Sequence, residues 1–175
     1  MKKVLCFLVA SLIVIILIFI MYHFTSLDGY SVSFDKCVDG DTAWFISNGK
    51  RMKVRFIGIN APEIAHDDVK AEEFGYESLN YVCDKLKNGK NIYLKLDANS
   101  DQYDKYDRLI AWVFVDGENL NRLLVLNGYA KVDYVYGNYL YLNDLCDAEN
   151  TAYQRHIGIW SRSDTIMKNY CRKES

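Results

Sequence analysis

Polar and apolar residues alternate over short stretches along most of the chain, and each stretch closes on a turn signal. Lys53-Val54-Arg55-Phe56-Ile57 alternates, which predicts a strand with one wet and one buried face. Tyr30–Cys37 and Thr42–Ile46 are strand-like and are separated by Val38-Asp39-Gly40-Asp41. Ser47-Asn48-Gly49-Lys50 reads as a turn because Asn-Gly tolerates positive φ. Further strands are predicted over Asn91–Leu96, Leu109–Val115 and Ala130–Val135. Over Lys70–Leu86 the period changes: Phe74, Leu79, Val82, Cys83 and Leu86 recur at helical spacing, and Asn88-Gly89 ends the run. Asn119–Leu126 predicts a short helix and Tyr139–His156 a final one, followed by Gly158-Ile159-Trp160. Gly58–Val69, which holds the only proline, and the acidic Asp97–Asp107 are read as loops. About five strands with about three helices among them make an α+β domain. The pattern suits a five-stranded Greek-key β-barrel of the OB type, among other α+β arrangements.

The first residues follow a different pattern. Val4–Met21 runs 18 residues without a charge, with Ser11 its one strongly polar group. A spanning helix needs about 17–25 residues, and the apolar core of a cleaved signal about 7–15. No small-x-small cleavage site follows. Residues 1–25 are therefore read as a signal-anchor, one N-terminal transmembrane helix, with cleavage and secretion as the other reading. Lys2 and Lys3 precede the run and no Lys or Arg follows before Lys36, which keeps the N-terminus inside and exports the rest. Residues 26–31 are then a linker, 32–161 the folded domain and 162–175 a charged tail.

Composition adds limits. With 175 residues, 50% hydrophobic and 25% charged, the chain has the make-up of one globular domain plus a targeting segment. Its net charge of −2 excludes a global basic field, so nucleic acid would be met by a local patch. Lys50, Arg51, Lys53, Arg55, Lys105, Arg108 and Lys131 supply residues for one. Beyond Cys6, the cysteines at 37, 83, 146 and 171 are spaced 46, 63 and 25 apart, which matches no zinc pattern. One or two disulfides, or buried thiols, fit equally. The Asp97-Ala98-Asn99-Ser100-Asp101 run fails as a calcium-binding EF-hand loop, because Gln102 and Arg108 stand where Gly and Glu are needed. It is read as a solvated acidic loop.

Three polar clusters interrupt the strand-rich pattern: Asp39-Gly40-Asp41-Thr42, Arg55 through Pro62-Glu63, and Asp104-Lys105-Tyr106-Asp107-Arg108. With Asn127-Gly128-Tyr129-Ala130-Lys131-Val132, Tyr134-Val135-Tyr136 and Gly158-Ile159-Trp160-Ser161, their order and spacing resemble the staphylococcal nuclease family over about Val32–Ser161. The resemblance implies the OB-type barrel and a calcium-dependent nuclease that hydrolyses phosphodiester bonds of DNA and RNA. It places catalytic roles on Arg55, Glu63 and Arg108. Calcium ligands fall on Asp41, Asn60 and the main-chain carbonyl of Ala61; substrate contacts fall on Lys105, Tyr106, Tyr134 and Tyr136.

These residue types suit the reaction. Attack on a phosphodiester builds a dianionic transition state, which two guanidiniums chelate with paired donors that lysine lacks. An arginine so placed is worth about 10³–10⁵ in rate, and general-base assistance from a carboxylate about 10²–10⁴. Tyrosines stack on bases with little sequence preference, which favours single-stranded or frayed substrate. Asn60 departs from the family's carboxylate and predicts weak calcium binding, toward about 10⁻⁴–10⁻³ M. Asp107 stands where the family often has glycine and is expected to pair with Arg108. The rival reading is a non-catalytic nucleic-acid- or protein-binding module on the same fold; retention of Arg55, Glu63 and Arg108 favours the enzyme. A monomeric catalytic domain, cell-membrane-tethered with its active site outside, is the expected arrangement.

Overall fold

A computed structural model describes residues 29–66, 70–161 and 170–171. The predicted anchor, the first half of the linker and most of the tail lie outside the described residues. Among those described, no helix is long and apolar enough to cross a membrane.

In chain order the elements are β1 (Gly29–Cys37), β2 (Thr42–Ser47), β3 (Lys50–Phe56), β4 (Ile59–Asn60), α1 (Gly75–Asn88), β5 (Ile92–Lys95), β6 (Leu109–Val115), β7 (Glu118–Asn119), α2 (Leu120–Leu126), β8 (Lys131–Val132) and α3 (Leu142–Gln154). A 3₁₀ turn, Gly158–Trp160, follows. β1, β2 and β3 form an antiparallel meander; β5 pairs with β1, and β6 with β5. Parallel pairing of β6 with β3 then closes a five-stranded mixed barrel of the OB type. The alternation in β3 fixes which side faces in: Val54 and Phe56 are fully buried, as are Phe45 from β2, Leu94 from β5, and Ala111 and Val113 from β6.

Helix α1 begins later than the periodicity predicts. Phe74 adopts a left-handed conformation (φ 68°), which a continuous helix forbids, and Gly75 N–H bonds to the Glu72 carbonyl instead. A Cβ at Gly75 would lie 2.4 Å from the Glu63 carbonyl oxygen, so only glycine lets the helix start against this loop. The last predicted strand shrinks to Lys131–Val132 because Tyr134 is also left-handed (φ 54°), and α3 starts only after a turn at Tyr139. Within the loop predicted after β3, Ile59–Asn60 pairs with β8.

The cysteines are paired Cys37–Cys83, tying the end of β1 to α1, and Cys146–Cys171, tying α3 to the tail. Asp97 is not solvated as expected. It is buried, and its carboxylate accepts hydrogen bonds from Trp112 Nε1 (2.9 Å), Leu140 N (2.7 Å) and Asn99 N (3.0 Å).

Asn121 of α2 is fully buried and joins the helix to the barrel. Its Oδ1 accepts from Val113 N at 3.0 Å, and its Nδ2 donates to the Ile57 carbonyl at 2.9 Å. Asn121→Leu would strand both main-chain groups away from water. A loss of at least about 2 kcal/mol in urea unfolding is expected, since each orphaned buried group costs about 1–3 kcal/mol.

Candidate active site

The strand registers bring the scattered clusters together. Thr42 pairs with Arg55 across β2 and β3, so Asp41, one residue before β2, lies beside Arg55. The Arg55 Nη2 to Asp41 Oδ2 distance is 3.0 Å, and the Asp41 carbonyl accepts from Phe56 N at 2.8 Å. In the parallel β3–β6 ladder Arg55 pairs with Ile110. Arg108 stands two residues earlier, on the same outward side. Gly58 (φ 73°) turns the chain after β3, and Asn60 returns to within 3.4 Å of Arg55 Nη2.

Asp41, Arg55, Asn60, Glu63, Lys105, Tyr106, Arg108, Tyr134 and Tyr136 all line one cleft of about 980 Å³. Ala61 does not line it. Ala61 is buried, and its N–H donates to Asp41 Oδ2 at 2.8 Å. Glu63 lies exposed at the cleft, with its main chain held at both ends by Glu72: Glu63 N donates to Glu72 Oε2 (3.1 Å), and the Glu63 carbonyl accepts from Glu72 N (2.9 Å).

The two arginines are held differently. Arg55 is largely buried, spans the Phe56 carbonyl (2.7 Å), Asp41 and Asn60, and lies 5.5 Å from the centre of the Tyr134 ring. Arg108 is gripped by Asp104, not by Asp107. The Asp104 carboxylate accepts from Arg108 Nε (2.6 Å), Arg108 N (2.9 Å) and Tyr106 N (2.9 Å). Burial works against the Asp104 charge, but these bonds and the guanidinium hold its carboxyl below the usual carboxylate range. Asp107 is left-handed instead (φ 60°), a conformation glycine adopts freely and aspartate tolerates. Among the described residues the terminal Nη atoms of Arg108 have no ion-pair or hydrogen-bond partner.

Lys105 Nζ lies 4.9 Å from the ring centre of the exposed Tyr106, and Arg108 Cζ lies 5.4 Å from it. Tyr134 and Tyr136 are also exposed. Their loop is ordered by Tyr139, whose hydroxyl accepts from Tyr136 N (3.2 Å) and donates to the Tyr134 carbonyl (3.4 Å). Asn99 Nδ2 donates to the Asn138 carbonyl at 2.8 Å, so the two loops carrying the cationic and aromatic residues clasp each other. Sequence reasoning missed Asp104, Asp97 and Tyr139. Only Asp104 carried a usable signal, an acid four residues before a candidate arginine.

The fold and this cleft define a small OB-barrel protein with two arginines and a carboxylate around one opening. The staphylococcal nuclease homologue family matches residues 53–162, and the chain belongs to it. It is 34% identical over 137 residues to endonuclease YncB of Bacillus subtilis (strain 168), covering 78% of this chain and 64% of that protein. It is 33% identical over 147 residues to the SPbeta prophage-derived endonuclease YokF of the same organism, covering 82% of this chain and 49% of that protein. Thermonuclease of Staphylococcus hyicus is 28% identical over 126 residues, covering 72% of this chain and 73% of its own. The chain thus spans less than two thirds of the two Bacillus relatives.

Asp41 has a further property. Burial pushes its carboxyl up to about 7; Arg55 opposes this and the nearby Asp39 charge adds to it. An unfolded aspartate titrates near about 3.9, so the folded protein retains a proton that the unfolded chain releases. In metal-free protein this contribution to stability is full below about pH 4 and lost as pH rises through about 7. The melting temperature of the wild type relative to Asp41→Asn is expected to fall between about pH 5 and about pH 8, as followed by scanning calorimetry in chelator.

Proposed function

We propose that the protein is a calcium-dependent nuclease that hydrolyses phosphodiester bonds of DNA and RNA. The supporting observation is the convergence of Arg55, Arg108, Glu63 and Asp41 on a single cleft, from four different segments of chain. The scissile phosphate is bound between the two guanidiniums. Arg108 meets it with terminal donors, while Asp104 holds its Nε and fixes the fork. Arg55 is drawn from Asp41 toward the phosphate oxygens as charge builds on them. Glu63, exposed at the cleft and anchored in its main chain, takes the proton from the attacking water. Lys105 adds a point charge, and Tyr106, Tyr134 and Tyr136 offer faces for bases and riboses. Little in the cleft reads a 2′-hydroxyl, hence both nucleic acids are substrates.

The residues fit a calcium ion. The donors are all hard oxygens, and burial, with the nearby Asp39 charge, holds the Asp41 carboxyl up despite Arg55, so a cation beside it would favour its charged form. Asp41, Asn60 and the Ala61 carbonyl would hold the ion. Among the described residues no three His, Cys, Asp or Glu side chains form a metal cluster, so water would supply the remaining ligands. Bound calcium would offset phosphate charge and polarise water. The apolar Val4–Met21 segment and the two cystine pairs support export to an oxidising exterior, with the catalytic domain monomeric and tethered to the membrane.

Plasmid and RNA degradation by residues 27–175 is the direct test. Activity with calcium and none in chelator is expected; full activity in chelator would overturn the calcium assignment. Glu63→Gln is expected to cost about 10²–10⁴ in rate and Arg108→Ala about 10³–10⁵, each with unchanged circular dichroism. Asn60→Asp is expected to tighten calcium binding measured by calorimetry.

Asp104→Ala separates positioning from chemistry. It leaves the Arg108 charge in place but frees its fork. The expected result is a fall in kcat of at least about tenfold with little change in KM, as for a contact made mainly in the transition state. Unaltered kcat would show that Arg108 needs no such hold.

A further inference from the structure

We propose that the outer face of the β1–β2–β3 meander carries a track for single-stranded nucleic acid that continues out of the cleft, built on Lys36, Trp44 and Lys53. The inference rests on the nuclease reading above and adds to it where the strand beyond the scissile phosphate lies.

The register makes the row. Lys36 pairs with Trp44, and Trp44 with Lys53, across three adjacent strands. Residues directly opposite each other share a face. That face is the outer one, because the neighbouring positions Phe45 and Val54 are fully buried inside the barrel. None of the three row residues lines the cleft.

Continuity with the site comes from β3. Arg51, Lys53 and Arg55 occupy alternate positions, so three cations follow one another on this face at intervals of about 6.8 Å. Arg55 is the one that reaches into the cleft. Arg51 is ion-paired with Asp35, whereas Lys36 and Lys53 are in no ion pair among the described residues. Two unpaired lysines in one row are a local departure from a chain whose net charge is −2.

The row also carries a stacking surface. Trp44 is half-buried, and Arg51 Cζ lies 4.2 Å from its ring centre. An indole with a guanidinium laid over it is a platform on which an unstacked base can continue the pile. Lysines on either side of the indole hold the flanking phosphates. Unstacked bases are a feature of single strands, so the occupant is a single strand and not a rigid duplex.

The test compares a long ligand with a short one. In a Glu63→Gln background, fluorescence anisotropy reads binding of an oligothymidylate of about 16 nucleotides. Trp44→Ala is expected to weaken it at least about fivefold. The Lys36→Ala/Lys53→Ala pair is expected to lower the slope of log affinity against log salt by about 1.4, two contacts at about 0.7 each. With Glu63 intact, Trp44→Ala and Lys36→Ala should hydrolyse a mononucleotide nitrophenyl diester, which fills only the cleft, at the wild-type rate. Unchanged oligonucleotide affinity and salt slope in these variants would overturn the track while leaving the nuclease reading standing. A parent protein that neither hydrolyses the short diester nor binds the oligonucleotide would overturn both. Circular dichroism checks folding, and should Trp44→Ala unfold, the lysine pair decides alone.

Discussion

The parallel contact between β3 and β6 is the constraint on which the site depends. It closes the barrel, and it brings two chain segments more than fifty residues apart into one ladder, with Val54, Arg55 and Phe56 beside Leu109, Ile110 and Ala111. Inward residues of that ladder are wholly buried. A slip of one residue would turn Arg55 into the core and Val54 into water, and burying a guanidinium in that apolar interior is prohibitive. The hydrophobic packing of the barrel therefore sets the positions of both arginines. Their placement requires no attraction between them, which like charges could not supply.

Around that frame each of the two arginines is held by a carboxylate. Asp41 opposes Arg55 in a buried pair, and Asp104 grips Arg108 nearer the surface. The two pairs are not equivalent. Asp41 carries a burial cost that its arginine does not fully offset, whereas the several hydrogen bonds received by Asp104 more than offset its own. The first pair is consequently open to exchange for other charges, a phosphate on the arginine or a cation on the carboxylate. The second is a fixed mount. In the proposed reaction, where a phosphate and a calcium ion enter together, one loose pair and one firm pair would serve.

Polar contacts tie the surrounding loops to the barrel and to each other. Asp97 links the end of β5 to Trp112 and to the start of the turn before α3, and Asn99 reaches across to Asn138. Tyr139 then fixes the loop that displays Tyr134 and Tyr136. The loop bearing the cations and the loop bearing the aromatic faces are thus coupled. Small side chains at the crossing matter too: a Cβ on Gly137 would lie 2.4 Å from the Asn99 carbonyl oxygen.

Much of this was legible in the residues. Leu109–Val115 and the Asn48-Gly49 turn were set by local pattern and turn chemistry, and both φ values in that turn are positive. The three polar clusters stood out because each broke an apolar alternation. Tertiary structure decided what period alone does not encode: that Phe74 and Tyr134 leave the regular conformations their neighbours favour, and that Asp97 is buried against Trp112 although its neighbours are polar. The physical reason is the same in each case. Local sequence sets the preference of a residue for a conformation or for water, at a fraction of a kcal/mol to about one. Burial against a distant segment, or a charge-assisted bond to a distant group, is worth more than that and is known only once the chain has closed.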